Sequence, residues 1–186
     1  MTQLPDLPAP GGRLDPDKDF QPVRIALLTV SDTRTAADDT SGDLLAARIE
    51  AAGHALADRK LVRDDVDSLQ ACLKAWIEDA EVDAVISTGG TGLTGRDITP
   101  EAAIPLFEKR VDGFETVWHM VSYQSVGLST LQSRACAGLA NGTFIFCLPG
   151  SNGACKDGWD KIIRWQLDAR HKPCNLVELM PRLMEV

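Results

Sequence analysis

A glycine-rich segment between an apolar run and a helix start is the part of this 186-residue chain that most clearly offers chemistry. Residues 87–92 read S-T-G-G-T-G after the apolar run 82–86, and residues 95–100 continue as G-R-D-I-T-P. Glycines tolerate positive φ, so such a loop can turn several backbone N–H groups toward one anion. Asp97 adds a carboxylate, which suits Mg²⁺ held between protein and phosphate. The alternative is a tight turn that binds nothing.

A second carboxylate is expected beside this loop. Asp64 follows the predicted strand 54–62, and Asp65 and Asp67 compete with it for the role. Either competitor can instead be the N-cap of a helix over 68–80, and we expect Asp67 to be that cap. Paired carboxylates act as acid and base in glycosidases, but beside a phosphate cradle joint Mg²⁺ binding is the more natural chemistry. We therefore predict Asp64 and Asp97 as the catalytic and metal-binding pair.

Two further polar segments could contact a second ligand. Arg134, after Ser133, offers a planar fork for phosphate or carboxylate, and a surface arginine on a solvated helix is an equal alternative. Pro149-Gly150-Ser151 follows an apolar run and precedes a helical pattern. It could cradle an anionic or polar ligand, or form a plain turn.

Composition narrows the classes of partner. The net charge of -8 argues against nonspecific nucleic-acid binding and against an anionic membrane surface. Five scattered cysteines without a C-x-x-C pair favour neither zinc nor a disulfide framework, so we expect a reducing cytoplasm. Because their neighbours in the sequence are apolar, we expect Cys72, Cys136 and Cys147 to be buried in the core. The sequence shows no membrane-span pattern and no signal-peptide pattern.

The elements that must position these residues alternate along the chain. Hydrophobic patterns predict strands over 22–30, 54–62, 82–87 and 142–148, and helices over 43–52, 65–80, 100–109, 113–123 and 154–170. We expect Thr99 to cap the third helix, with Pro100 at its first position.

Such alternation predicts a three-layer α/β/α fold with a mostly parallel central sheet. Ligands bind beyond the carboxyl ends of such strands, so residues 31–32, 63–65, 88–97 and 148–151 should converge on one rim. Residues 1–21 are expected to be a disordered or draped tail, and residues 22–186 a single domain.

These segments together resemble the MoaB/MogA family of molybdenum cofactor biosynthesis, and within it MoaB more than MogA. The matching pieces are T-V-S-D (29–32), D-x-S-G (39–42), S-T-G-G-T-G (87–92) with R-D-x-T-P-E (96–101), Q-S-R (132–134) and L-P-G-S (148–151). The resemblance covers residues 22–186. One departure is G-F-E-T at 113–116, where many relatives carry G-F-G-E.

The resemblance implies an adenylyltransferase that joins molybdopterin to AMP from Mg·ATP and releases pyrophosphate. Asp64 and Asp97 match the family's two essential aspartates, and Ser133 matches a serine on the pterin side. The nucleotide phosphates are then expected at Ser31, Asp32, Thr88, Gly89, Gly90, Thr91, Gly92 and Arg96. The pterin is expected at Ser133, Arg134, Pro149, Gly150 and Ser151.

The resemblance also implies a homo-oligomer, a trimer or a hexamer. Two other functions stay open at this point. One is a non-catalytic molybdopterin-binding or scaffold protein of the same pathway, and the other is a structural oligomer with a vestigial pocket.

Overall fold

The computed structural model describes residues 12–185. Its strands are β1 (Arg13–Leu14), β2 (Arg24–Val30), β3 (Ala55–Val62), β4 (Ala84–Thr88), β5 (Lys109–Arg110), β6 (Cys136–Ala140), β7 (Thr143–Leu148) and β8 (His171–Lys172). Its helices are α1 (Thr40–Ala51), α2 (Val66–Ile77), α3 (Thr99–Ala103), α4 (Asp112–Val126), α5 (Asn152–Gly158) and α6 (Arg164–Gln166). Short 3₁₀ segments cover Ile104–Leu106, Gly127–Gln132 and Val177–Arg182, and a π-helical segment (Trp159–Ile163) joins α5 to α6.

A six-stranded sheet forms the centre of the molecule, in the order β3-β2-β4-β7-β6-β5. Its first four strands are parallel, and β6 and β5 are antiparallel to their neighbours. The predicted class, a mostly parallel sheet between helical layers, is therefore confirmed. Parallel neighbours require crossover connections, which α1, α2 and later helices supply.

Side chains on the two faces of the sheet build two apolar cores. Along β2, Ile25 and Leu27 belong to one core, and Ala26 and Leu28 belong to the other. Both faces of a central parallel strand are covered, which explains its continuous apolar sequence. Helices α1, α4 and α5 cover the first face, and α2 and α3 cover the second. Cys72, Cys136 and Cys147 are buried among these residues, as predicted.

The predicted helix over 100–109 is wrong. The observed α3 ends at Ala103, a 3₁₀ turn follows, and Lys109–Arg110 pairs with β6 as a strand. Pro105 provides a physical reason, because it has no N–H to donate and its ring crowds the carbonyl four residues earlier.

Both predicted helix caps are also wrong. Asp65, and not Asp67, caps α2, since its Oδ1 accepts a hydrogen bond of 2.8 Å from the Ser68 N–H. Thr99 is the first residue of α3 and does not cap it, so Pro100 occupies the second position. The Thr99 hydroxyl instead donates to the Gly89 carbonyl at 2.8 Å, which ties the helix start to the glycine loop.

Strand β6 was missed by the sequence analysis, and the long helix predicted over 154–170 is interrupted. The segment C-A-G-L-A lacks the β-branched residues that mark strands. Asn141-Gly142, both at positive φ, forms the two-residue turn from β6 to β7 and was the available hairpin signal. In the predicted helix, the π-helical segment Trp159–Ile163 replaces regular α-helix.

The start of the described chain lies against its C-terminal part. Strand β1 pairs antiparallel with β8, and the Asp15 N–H donates to the Arg170 carbonyl at 2.8 Å. Of the predicted tail, residues 1–11 lie outside the described residues. From residue 12 to residue 185, no helix combines the length and the apolar character that a membrane crossing requires.

His54 is a buried histidine held in its neutral form. Its Nδ1 accepts a hydrogen bond of 3.1 Å from the Val23 N–H, which joins the start of β3 to the start of β2. The rings of Phe20 and Trp159 lie 5.0 and 5.9 Å from the imidazole, and Asp168 is the nearby charge. Burial lowers the pKa of His54 to about 4, although Asp168 acts in the opposite direction.

We predict that His54 makes the fold acid-sensitive between pH 6.5 and pH 4. In this window the unfolded chain binds a proton that the folded chain excludes, so the free energy of unfolding should fall by up to about 3 kcal/mol. Urea unfolding at several pH values measures this. In His54→Gln, which carries no titrating group, this part of the pH dependence should disappear. Equal pH dependence in both proteins would contradict the assignment.

Candidate functional site

The carboxyl ends of β2, β3, β4 and β7 surround one hollow of about 350 Å³. The loops that follow these strands supply its lining: Val30, Ser31, Thr33, Arg34, Asp64, Gly89, Gly90, Thr91, Gly92, Arg96, Asp97, Pro149 and Gly150. Parallel strands end at the same edge of a sheet, so residues far apart in sequence meet here. The structure thus shows the predicted convergence, and we call this space the first hollow.

The glycine loop packs too closely against its surroundings for side chains. Gly89 has a φ of +105°, and a Cβ there would overlap the Val30 carbonyl oxygen. Gly90 has a φ of +65°, and a Cβ there would overlap the Thr99 hydroxyl and lie 3.3 Å from Asp64 Oδ1. Within residues 12–185, the N–H groups of Gly90 and Thr91 donate to no protein acceptor. These donors fit the predicted anion cradle, whereas the Gly89 N–H is used by the Leu148 carbonyl.

Asp64 faces the first hollow next to other carboxylates. The Asp32 N–H donates to Asp64 Oδ2 at 2.8 Å, and the Asp64 N–H donates to Asp32 Oδ1 at 3.3 Å. Arg96 Nη1 donates to Asp32 Oδ2 at 2.5 Å and neutralises that carboxylate. Burial, together with the charges of Asp32 and Asp97, raises the pKa of Asp64. Its negative charge is therefore not fully compensated by the protein.

Asp97 is held differently. Burial opposes ionisation of Asp97, but hydrogen bonds from Thr94 and Gly92 outweigh burial and lower the pKa of its carboxyl. The Thr94 hydroxyl donates at 2.6 Å and the Thr94 N–H at 2.9 Å, both to Oδ2. This carboxylate stays ionised, and its orientation is fixed.

The two carboxylates fit Mg²⁺. They are oxygen donors facing one hollow, and the raised pKa of Asp64 marks negative charge that a cation would stabilise. In the described part of the chain, no group of three or more acidic, cysteine or histidine residues could hold a metal. Mg²⁺ would then complete its shell with water and substrate phosphates, as it usually does.

A second hollow, of about 520 Å³, adjoins the first. Thr91, Gly92 and Pro149 line both, so the two spaces share a wall. Ser133 and Ser151, which we predicted to contact the pterin, line the second hollow. The sequence analysis missed another lining residue, Trp118, whose indole N–H donates to Ser133 Oγ at 2.9 Å. Trp118 is 1% exposed and was predicted only as part of a helix.

Three residues expected at the ligands lie outside the lining of these two hollows. The Thr88 hydroxyl is buried and donates to the Pro149 carbonyl at 3.1 Å. Asp32 does not line either hollow, but it contacts the lining residues Asp64 and Arg96. Arg134 opens on a third space, of about 620 Å³, with Glu115 and His119. Glu115, the residue of the family departure, pairs there with Arg110.

Arg134 directs its guanidinium to the glycine loop. Its Nε donates to the Gly92 carbonyl and its Nη2 to the Asp97 carbonyl, both at 2.6 Å. Its Nη1 and Nη2 also bind the Glu101 carboxylate, and its own backbone N–H donates to the Thr91 carbonyl at 2.8 Å. The fork predicted for a ligand is occupied by loop acceptors, so in this structure Arg134 shapes the loop.

Comparisons with known proteins agree with this geometry. Residues 26–169 match the family model described as "Probable molybdopterin binding domain". Molybdenum cofactor biosynthesis protein B of Escherichia coli (strain K12) is 50% identical over 157 residues, which are 84% of this chain and 92% of that protein. The Bacillus subtilis (strain 168) protein of the same name is 44% identical over 142 residues, 76% of this chain and 84% of that protein.

A solved structure supports the same relationship. A crystal structure of a Molybdenum cofactor biosynthesis protein B matches with a TM-score of 0.78 and 38% identity, covering 81% of this chain and 94% of that one. Its sheet and helices are thus similar over most of the length of both chains.

We predict that Arg134→Met loosens the glycine loop. Two backbone carbonyls and a carboxylate lose a charged donor, so the free energy of unfolding should fall by at least about 2 kcal/mol. Amide hydrogen exchange in residues 91–97 should speed up. The control is Arg182→Met, which removes an exposed arginine paired with Glu185 and should change stability by less than about 0.5 kcal/mol. Unchanged exchange in the loop would refute this role of Arg134.

Proposed function

This chain belongs to the family of molybdopterin-binding domains that act in molybdenum cofactor biosynthesis, and from that premise we propose that it transfers AMP from Mg·ATP to molybdopterin with release of pyrophosphate. The nucleotide phosphates would occupy the first hollow and the pterin the second. Ser31, Arg96 and the glycine loop would face the nucleotide, and Ser133, Pro149 and Ser151 the pterin.

The shared wall between the two hollows is the observation that carries this proposal. Thr91, Gly92 and Pro149 belong to both linings, so groups bound in the two spaces can approach each other across backbone atoms. Adenylyl transfer requires this proximity, because two polyanions must be brought into line. A protein that only binds the pterin does not need an adjoining hollow with two carboxylates.

The chemistry needs positioning more than proton transfer. The terminal phosphate oxygen of molybdopterin would form the new bond to the α-phosphorus of ATP, and the bond from that phosphorus to the bridging oxygen would break. The electron pair leaves with pyrophosphate. The attacking oxygen is already anionic, so no strong general base is required. Free N–H groups of Gly90 and Thr91 would stabilise charge on the phosphate oxygens.

Asp64 and Asp97 are the residues that would hold Mg²⁺. When bound, the ion neutralises negative charge on the phosphates. Asp97, ionised and fixed by Thr94, would provide a preorganised oxygen ligand. The pKa of Asp64 is raised by burial and by the charges of Asp32 and Asp97, and a bound cation would stabilise its ionised form.

We predict that Asp64→Asn and Asp97→Asn each lower adenylyl transfer by at least about 100-fold, since each removes a charged metal ligand without changing side-chain size. The amide oxygen of an asparagine at position 64 could still accept from the Asp32 N–H, so the fold should persist. The assay is pyrophosphate release from molybdopterin, ATP and Mg²⁺. The matched control is Asp67→Asn, an exposed position in the first turn of α2, which should leave the rate unchanged.

This assay also separates the proposed reaction from its alternative. Wild-type protein that binds molybdopterin and Mg·ATP but releases no pyrophosphate would be the non-catalytic binding protein. Full activity in both asparagine variants would reject the assignment of the two carboxylates.

We further propose that the chain forms a homo-oligomer through α4 and the 3₁₀ segment after it. Exposed apolar side chains follow one another at three-residue intervals along α4, and two more continue beyond it: Val117, Met120, Tyr123, Val126, Leu128 and Leu131. Each is at least 43% exposed, and this number of exposed large apolar side chains on one helix and the segment after it is typical of a protein interface.

We predict that the double variant Met120→Glu/Tyr123→Glu dissociates this oligomer, because it buries charge without a partner. Sedimentation equilibrium should give a trimer or hexamer for the wild type and a monomer for the variant. Leu179→Glu, at a similarly exposed leucine in the C-terminal 3₁₀ segment, is the control and should stay assembled. A monomeric wild type would reject the proposal.

A further inference from the structure

Two arginines line the first hollow, and their charges are used differently. Arg96 Nη1 lies 2.5 Å from Asp32 Oδ2, and its side chain is 76% exposed. That pairing cancels its charge locally, and solvent screens what is left. Arg34, in the loop after β2, has a side chain that is only 29% exposed. The sequence analysis assigned no role to it.

Neutral groups hold the Arg34 guanidinium. Its Nη1 donates to the Ser41 hydroxyl, and its Nη2 donates to the Gly150 carbonyl at 3.0 Å. The nearest carboxylate, Asp39, lies 3.7 Å away at its closest oxygen, which is beyond hydrogen-bond distance. Neutral acceptors therefore fix both Nη groups of Arg34, and its ion pair with Asp39 is longer than a hydrogen bond.

Other donors satisfy Asp39, which is 1% exposed. Arg59 Nη2 donates to it at 2.8 Å, the Thr29 hydroxyl at 2.7 Å and the Gly42 N–H at 3.0 Å. Burial alone would raise the pKa of Asp39, but these contacts outweigh it and lower that pKa. Arg59 is the positive charge closest to this carboxylate, and it also pairs with Asp43 at 2.7 Å. Arg34 forms only the longer ion pair of 3.7 Å with Asp39, and it lines the first hollow, where it can also face an anion.

We propose that Arg34 binds the polyphosphate of the ligand in the first hollow, an inference that rests on the proposed function because it places the nucleotide there. An arginine has five N–H donors, and Arg34 uses two of them within the described chain. The rest of its planar fork is free to bind two phosphate oxygens. Ser41 and Gly150 preorganise it, so little side-chain entropy is lost when the anion binds.

The location of Arg34 suits this role. The guanidinium of Arg34 donates to the Gly150 carbonyl. A Cβ added to Gly150 would lie 3.2 Å from the Gly89 Cα, so the turn at Gly150 packs closely against the glycine loop. The guanidinium therefore lies beside the contact between these two turns. Asp64 and Asp97 line the same hollow and would bring the metal ion to it. The phosphates would thus lie among a metal ion, the partial positive charges of backbone N–H groups and the Arg34 guanidinium. Together these groups suit an anion that carries several negative charges.

The test measures binding of inorganic pyrophosphate with Mg²⁺ to the full chain by isothermal titration calorimetry. Losing a charged hydrogen-bond donor should weaken binding by about 10- to 100-fold in Arg34→Met. Arg34→Lys keeps the charge but loses the fork, so we expect a loss of about 3- to 10-fold. Arg182→Met removes the same positive charge at an exposed residue that does not line the hollow, so it should alter affinity less than about 2-fold.

The outcomes separate this inference from the reaction. Wild-type affinity in Arg34→Met, or a loss confined to Arg96→Met, overturns the role of Arg34. Failure of the wild type to bind pyrophosphate overturns the role of Arg34, and the pyrophosphate-release assay then decides the reaction separately. Binding that depends on Arg34 without any adenylyl transfer supports Arg34 and rejects the reaction. If Arg34→Met does not fold, as judged by its circular dichroism, unchanged affinity in Arg34→Lys overturns the role of the fork.

Discussion

Parallel pairing of β2, β3, β4 and β7 is the constraint on which the candidate site depends. Thr29 pairs with Thr88, and Thr88 pairs with Leu148, so the three strands end side by side. The loops that leave them must therefore run next to one another. No local preference of any single loop could create the first hollow, because each loop supplies only one part of its wall.

Close backbone contact then sets the shape of the loops. Gly89 lies against the Val30 carbonyl, and the turn at Gly150 packs on Gly89, so the two turns touch without intervening side chains. Arg134 holds the other side of the glycine loop through two carbonyls. The N–H groups of Gly90 and Thr91 are left without a protein acceptor in the described chain, and both residues line the first hollow. Because the net charge is -8 and the overall field repels anions, an anion in the first hollow would depend on such local donors and on Arg34.

Strong patterns in the sequence were sufficient for the class of fold. Continuous apolar strands alternating with helical periodicity predict a covered parallel sheet, and β2, β3, β4 and β7 lie close to their predicted bounds. The errors occur where local signals are weak or conflicting. Pro105 shortens α3, and the small residues of β6 hide a strand that its partner β7 stabilises. Propensity alone does not predict β6, and the Asn141-Gly142 turn was the local signal of its antiparallel pairing with β7.

The sequence by itself determined which residues could carry the chemistry: three glycines, Asp64, Asp97 and the serines at two strand ends. It also determined that they would meet, because parallel strands place their carboxyl ends at one edge. Only the tertiary structure decided how charge is distributed among them. Arg134 binds the loop, Arg96 pairs with Asp32, and Arg34 is held by Ser41 and Gly150 where it lines the first hollow. Long side chains choose partners by distances of an ångström or less, and such distances are set by packing and not by sequence spacing.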